Sequence, residues 1–160
     1  MPEMTMLVGV PGSGKSTWLK TVGLINNDDF MILSTDDYIQ RVANESGKTY
    51  SEVFRDVIKD AEKNLYRNLD IAIEREMHIV WDQTNLTRKT RMNKLKHIPW
   101  KYRRDALVFP TPSPEVHNIW LNSKERAGKS IPDAMIHSMI ENFEQPSLSE
   151  GFNEIRTVKR

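Results

Sequence analysis

The sequence predicts an α/β protein of three layers, with helices on both faces of a mainly parallel sheet of about five strands, on three observations. Short apolar runs alternate with longer stretches of helical spacing along the whole chain, the pattern of strands crossed over by helices. The first run ends in a glycine-rich turn, Gly9-Val10-Pro11-Gly12-Ser13-Gly14, that opens directly into a helical stripe. A length of 160 residues suffices for one core and leaves little for a second, so residues 1–160 are expected to form one domain. In such a sheet, ligands bind at the carboxyl ends of the strands.

Met4 to Val10 reads as the first, buried strand, and Lys15 to Leu24 as a helix with Trp18, Leu19 and Val22 at helical spacing. Phe30 to Leu33 is the second strand, followed by Ser34-Thr35-Asp36-Asp37, a natural helix start, with a helix from about Asp37 into the forties. Thr49-Tyr50-Ser51-Glu52 has the form of a capping box. After it Val53, Phe54, Val57, Ile58, Ala61, Leu65, Leu69, Ala72 and Ile73 fall on one stripe, the longest helix. His78 to Asp82 is the third strand, and Thr87 to Ile98 a helix with Pro99 just past its end. Ala106 to Phe109 is the fourth strand. Ser113-Pro114 sets a capping residue before a first-turn proline, and Val116, Ile119, Trp120 and Ser123 continue that helix. Pro132 opens a helix carrying Met135, Ile136, Met139, Ile140 and Phe143, Gln145 to Gly151 is loop, and Ile155 to Val158 the last strand. No internal repeat or low-complexity tract interrupts the order.

Hydrophobic residues make up 38% of the chain and charged residues 28%, with a net charge of +1. Balanced charge and clear periodicity exclude a disordered tail. The absence of cysteine excludes disulfide staples, thiolate zinc sites and thiol catalysis, and fits a reducing cytoplasm. The four histidines are too scattered for a metal cluster. No apolar run reaches the length of a membrane span, and the first residues lack the order of a signal peptide, so a soluble cytoplasmic protein with no membrane partner is expected. Between Asp82 and Asp105 the charge is all of one sign: Arg88, Lys89, Arg91, Lys94, Lys96, Lys101, Arg103 and Arg104. The rest of the chain is net acidic.

Chemistry is concentrated at the strand ends. Gly9 to Ser16 fits the pattern of glycine, four residues, glycine, lysine and serine or threonine. Glycines let main-chain amides turn inward around a polyphosphate, and the helix beginning there adds its partial positive end. Gly12, Ser13, Gly14, Lys15, Ser16 and Thr17 are the candidate ATP-binding residues, with Lys15 on the outer phosphates and the Ser16 hydroxyl offered to magnesium. Asp36, just past the second strand, is the candidate general base; Ser-Thr-Asp-Asp is also a plain helix cap, and Asp37 competes for the role. Asp82, ending the third strand, is a candidate for the metal's water shell or for Ser16, and equally a strand-end turn former. Thr84, Asn85 and Arg88 follow on the same rim as candidate substrate contacts, while Thr84 or Asn85 would serve equally as a helix cap.

Lys124, Arg126 and Lys129 cluster around Gly128, so residues of about 122–131 are expected to form a cationic lid over the phosphates; an ordinary solvated helix end has the same composition. The basic segment 83–104, interleaved with Trp100 and Tyr102, has the cations and rings of a nucleic-acid groove or, alternatively, of an exposed helix face with core aromatics.

Taken together, the phosphate loop Gly9 to Trp18, Ser34-Thr35-Asp36-Asp37-Tyr38, Asp82-Gln83-Thr84-Asn85-Leu86, and Leu121-Asn122-Ser123-Lys124-Glu125-Arg126 with Ile131-Pro132 resemble the P-loop kinase module of polynucleotide kinases, those of the phage kinase-phosphatase and of bacterial end-healing enzymes. The resemblance covers nearly the whole chain, although only the phosphate loop is specific by itself. It implies a P-loop kinase fold with a helical lid and transfer of the ATP γ-phosphate to a 5′-hydroxyl of DNA or RNA, with magnesium. By the same resemblance Lys15 and Ser16 hold phosphates and metal, Asp36 is the general base, Arg126 is the catalytic lid arginine on the transferring phosphate, and Thr84 lies in a substrate loop. The family can be oligomeric.

Two departures stand out. The family's backbone-contacting arginine, three residues past the general base, is Ile39 here, with Arg41 the nearest arginine and the candidate substrate contact in its place. The Asp-x-Asp-Gly-Thr signature of the phosphatase is absent. Two other readings share the residues: a kinase for another hydroxyl, on a nucleoside, a small metabolite or a hydroxymethylated base in DNA, and a non-catalytic nucleic-acid-binding module of the same fold.

Overall fold

The computed structural model describes residues 1–121 and 128–159. Its elements are β1 (Glu3–Val8), α1 (Lys15–Thr21), β2 (Phe30–Leu33), α2 (Asp36–Ser46), α3 (Tyr50–Glu74), β3 (His78–Trp81), α4 (Arg88–Leu95), β4 (Arg103–Val108), α5 (Pro114–Leu121), α6 (Asp133–Asn142), a short 3-10 turn at Leu148–Glu150, and β5 (Glu154–Thr157). The strands form one parallel sheet in the order β2-β3-β1-β4-β5, as the alternation predicts.

The period of two along the strands divides the core into two layers. Met4, Met6 and Val8 of β1, Ile79 and Trp81 of β3, and Ala106 and Val108 of β4 turn to one face, where they meet Leu65, Leu69 and Ala72 of α3 and Leu95 of α4. Leu7, Val80 and Leu107 turn to the other, against Leu19 and Trp18 of α1. Each central strand is buried on both faces, which is why its apolar run is continuous. None of the described helices is long and apolar enough to cross a membrane.

Boundaries differ from the sequence reading where pairing or glycine decides. β1 ends at Val8, because Gly9 and Val10 already belong to the turn. β4 begins three residues early, at Arg103, because Glu3 pairs with it and carries the ladder across a polar stretch. The capping box at Thr49 is realised: its hydroxyl accepts from the Glu52 amide at 3.3 Å, and the Glu52 carboxylate accepts from the Thr49 amide at 3.0 Å. Along α3, Val53, Ala61, Leu65, Leu69 and Ala72 are buried, but Phe54 is turned out of the stripe and is 42% exposed.

The basic segment does not form one cationic face. Arg91 is buried, in a forked ion pair with Glu150 at 2.7 and 3.2 Å, and its third contact is the Asn85 carbonyl at 3.0 Å. Lys101 pairs with Glu76 and Arg103 with Asp105 and Glu154. Tyr102 is core, its hydroxyl donating to the Met77 and Ala72 carbonyls at 2.7 and 3.2 Å, whereas Trp100 is 88% exposed.

Candidate active site at the carboxyl edge of the sheet

The glycine-rich turn links the end of β1 to the start of α1, as its sequence demands. Gly12 and Gly14 have φ of +81° and +104°, a region that side chains other than hydrogen rarely adopt. Gly12 has a second reason to be glycine: a Cβ there would lie 2.3 Å from the Trp120 ring, so α5 lies flush on the turn. His117, one turn earlier on α5, stacks on Trp120 and sets its Nε2 2.8 Å from the Pro11 carbonyl. The sequence reading missed this clamp; its only trace is a histidine and a tryptophan three residues apart on a helix face.

Ser13 is buried within the turn, and Ser16 and Thr17 are exposed on the first turn of α1. Lys15 folds back so that its ammonium donates to the Gly9 and Val10 carbonyls, at 2.6 and 3.1 Å. Burial pulls its pKa down to about 8 against the attraction of Asp82 and Asp36.

Two carboxylates, Asp36 and Asp82, act on this lysine from the ends of the neighbouring strands, with Asp37 beside them. Asp36 opens α2 directly beyond β2, where its Oδ1 accepts from the Tyr50 hydroxyl at 2.5 Å and its Oδ2 pairs with the Lys129 ammonium at 3.0 Å. Burial works to raise its pKa, but the Lys129 charge, the bonds from Tyr50 and Lys129, and the Lys15 charge hold it below the ordinary carboxylate value. Asp37 goes the other way, raised by burial and by repulsion from Asp36. Asp82 follows β3, its amide bonded to the Leu33 carbonyl at 2.8 Å. Burial pushes it up to about 6, with repulsion from Asp37 and Asp36 adding to that and Lys15 opposing it. The two aspartates at the end of β2 are thus distinguished by their environments: Asp36 holds a cation and a hydroxyl and has its pKa lowered, whereas that of Asp37 is raised.

The loop after β3 is tied to its neighbours by side chains. The Thr84 carbonyl accepts from the Gly9 amide at 3.0 Å, which fixes Thr84 beside the glycine turn. Gln83 donates to the Thr35 hydroxyl at 3.3 Å and accepts from the Trp81 indole and the Lys94 ammonium, joining the ends of β2 and β3. Asn85 lies beneath the rim rather than on it. It is buried at φ +49°, its amide donating to the Leu7, Gln83 and Trp81 carbonyls and its Oδ1 accepting from Lys94. Arg88 is exposed on the first turn of α4, and Arg41 is exposed on α2 with its guanidinium 5.1 Å from the Tyr38 ring. Ile39 is wholly buried against Ala43, Val53 and Ala61, so on this helix the position three past Asp36 points into the core.

Of the expected lid, Arg126 and Lys124 lie outside the described residues, as do the other residues of 122–127. Its far end is anchored on α3: the Ser51 amide donates to the Gly128 carbonyl at 3.1 Å, and the Ser130 amide to the Ser51 hydroxyl at 2.9 Å. Lys129 lies between them, 4.5 Å over the Tyr50 ring.

Comparison with known proteins agrees with this architecture. The curated relatives include the heterogeneous nuclear ribonucleoprotein U-like protein 2 of Mus musculus and Homo sapiens, each 23% identical over 157 residues, which is 96% of this chain but only 21% of theirs. The chain therefore spans about a fifth of the length of those relatives. Similar solved structures include a chain of the Pnkp1/Rnl/Hen1 RNA repair complex, with a TM-score of 0.66, 20% identity and coverage of 88% of this chain and 43% of that one. A fungal RNA kinase matches with a TM-score of 0.58 and 13% identity over 99% of this chain and 74% of that one. A gluconokinase from Sinorhizobium meliloti matches with 0.51 and 19% over 98% and 82%. At these identities the likeness is one of fold, which is shared with these P-loop kinase structures. Residues 4–146 match the model of the AAA domain family AAA_33, and the chain belongs to that family.

Proposed function

We propose that the protein is an ATP-dependent polynucleotide 5′-hydroxyl kinase that moves the γ-phosphate of ATP to a 5′-hydroxyl end of DNA or RNA. The observation that carries the reading is Asp36: an ionised carboxylate at the end of β2, on the same sheet edge as the glycine turn, with a hydroxyl already hydrogen-bonded to it. An acceptor hydroxyl taking the place of Tyr50 Oη on Asp36 gives up its proton there as its oxygen attacks the γ-phosphorus. The bond from phosphorus to the β–γ bridging oxygen breaks, and ADP leaves with that electron pair. In this reading the amides of residues 12–17 hold the phosphates, and Lys15 leaves the Gly9 and Val10 carbonyls for the outer phosphates. Lys129, and Arg126 by its family role, offset the charge spread over the transferring group.

Magnesium fits the donors present. Ser16 and Asp82 offer the hard oxygen ligands it prefers, and Asp82, whose pKa is raised first by burial and then by repulsion from Asp37 and Asp36, lies in a cluster of carboxylates whose mutual repulsion a cation relieves. When bound, the ion neutralises and orients phosphate oxygens.

The nucleic-acid acceptor draws support from the RNA repair and RNA kinase neighbours and from the ribonucleoprotein relatives. A second reading, a smaller acceptor, is favoured by the burial of Ile39, which leaves the family's backbone-contacting position without a cation. Incubation with γ-labelled ATP, magnesium, and a panel of 5′-hydroxyl oligonucleotides, 5′-phosphorylated controls, nucleosides and sugar acids separates the readings. Label confined to 5′-hydroxyl strands is the expected result. Label only on a small acceptor selects the second reading, and oligonucleotide binding without any transfer selects a non-catalytic module.

A further inference from the structure

We infer that Phe54 and Tyr50 form a stacking wall for the base next to the acceptor hydroxyl, so that the site selects a 5′ end whose terminal base is present. This rests on the kinase reading above and narrows its substrate.

A phenylalanine in the second turn of an amphipathic helix normally goes to the core. Here the neighbouring Val53 takes the core position, packed with Ile39, Ala43 and Ala61, and Phe54 keeps 42% of its surface in solvent. Its ring is 5.8 Å from that of Tyr50, tilted by 40°. Tyr50 in turn reaches Asp36 with its hydroxyl, at 2.5 Å, and carries the Lys129 ammonium over its ring. A cation, two adjoining rings and the carboxylate that takes the acceptor's proton thus form one connected group, in which Phe54 is joined to Asp36 through Tyr50.

That order matches a nucleotide read from its 5′ end. The hydroxyl lies on Asp36, the furanose follows, and the base reaches the aromatic pair, where any base can stack because each has a π-face. A sugar acid has no flat ring to offer and gains nothing from the wall.

The test compares kcat/KM for two single-stranded oligonucleotides that differ only in having a base or an abasic site at the 5′-terminal nucleotide. One stacked base is worth on the order of tenfold in this ratio, so the wild type is expected to favour the base-bearing end by about that factor. Phe54→Ala brings the ratio close to one, and Phe54→Trp keeps it, which guards against a variant that merely folds poorly. A wild-type ratio near one, or a Phe54→Ala variant that loses on both ends in equal proportion, overturns the inference while leaving the 5′-kinase reading intact. Failure of the wild type to label any 5′ end overturns that reading, and this inference with it.

Discussion

Five charged groups, three aspartates and two lysines, are electrostatically coupled at the carboxyl edge of the sheet. Asp36 and Asp82 act on Lys15, all three aspartates act on Lys129, and their pKa values move apart because each has a different balance of burial and neighbours. Asp36 is the one that already accepts a hydrogen bond from a hydroxyl, that of Tyr50, and so is placed to accept a proton from an acceptor hydroxyl. Asp36→Asn is therefore expected to reduce transfer by about 10²- to 10⁴-fold while ATP still binds, as read by single-turnover labelling beside a binding titration; a near-normal rate would move the role to Asp37. Tyr50→Phe removes a hydrogen bond that favours the ionised form of Asp36. The carboxylate pKa then rises, and the acid limb of the kcat/KM profile moves to higher pH, because the base is protonated earlier as pH falls. An acid limb that stays put would detach Tyr50 from the base.

Among the elements, the glycine turn and α5 act as one unit. Gly12→Ala faces both a left-handed φ and the Trp120 ring, so the turn must open or α5 must move. The variant is expected to lose ATP affinity, and Trp120→Ala made in addition should restore only the part due to the ring, as the strained φ remains. Titration calorimetry of the two variants measures the split. At the start of α3 the capping box holds the helix that supplies Tyr50, and Thr49→Ala is expected to cost about 1 kcal/mol in stability, visible as a lower Tm. Most elements were legible because periodicity and capping chemistry are local: the box at Thr49, the stripe of α3, and the strand-turn-helix around Lys15. Facts settled by distant parts of the chain were not. Nothing near Asn85 in sequence announces that the Leu7 carbonyl will claim its amide, and nothing near Trp120 that it will lie on Gly12. Phe54 fits the α3 stripe by spacing, yet Val53 takes the core and leaves the ring in solvent.

At the scale of the molecule, the parallel order β2-β3-β1-β4-β5 gathers Lys15, Asp36 and Asp82 at one edge although they are far apart in sequence. The alternation of strands and helices foretold that edge. The charge run 83–104 did not foretell its own fate, because ion pairing with Glu150, Glu76, Asp105 and Glu154 is decided by packing. The Arg91–Glu150 pair joins α4 to the turn before β5 in a dry setting, and removing one partner strands the other. Arg91→Met is expected to lower stability by about 3–5 kcal/mol in denaturant titration. Burial opposes the ionised Glu150, but Arg91 and Ser147 hold its pKa below the ordinary value. Its contribution is therefore present above the unfolded glutamate pKa and is lost as pH falls through the lower, folded one. In the proposed kinase, main-chain amides of the glycine turn, with Lys15, hold the phosphates of ATP. Calorimetric titration of ATP with magnesium tests it most directly: the wild type and Asp36→Asn are predicted to bind alike and Lys15→Ala at least about tenfold more weakly, whereas no heat of binding from the wild type, or unchanged affinity in Lys15→Ala, would contradict it.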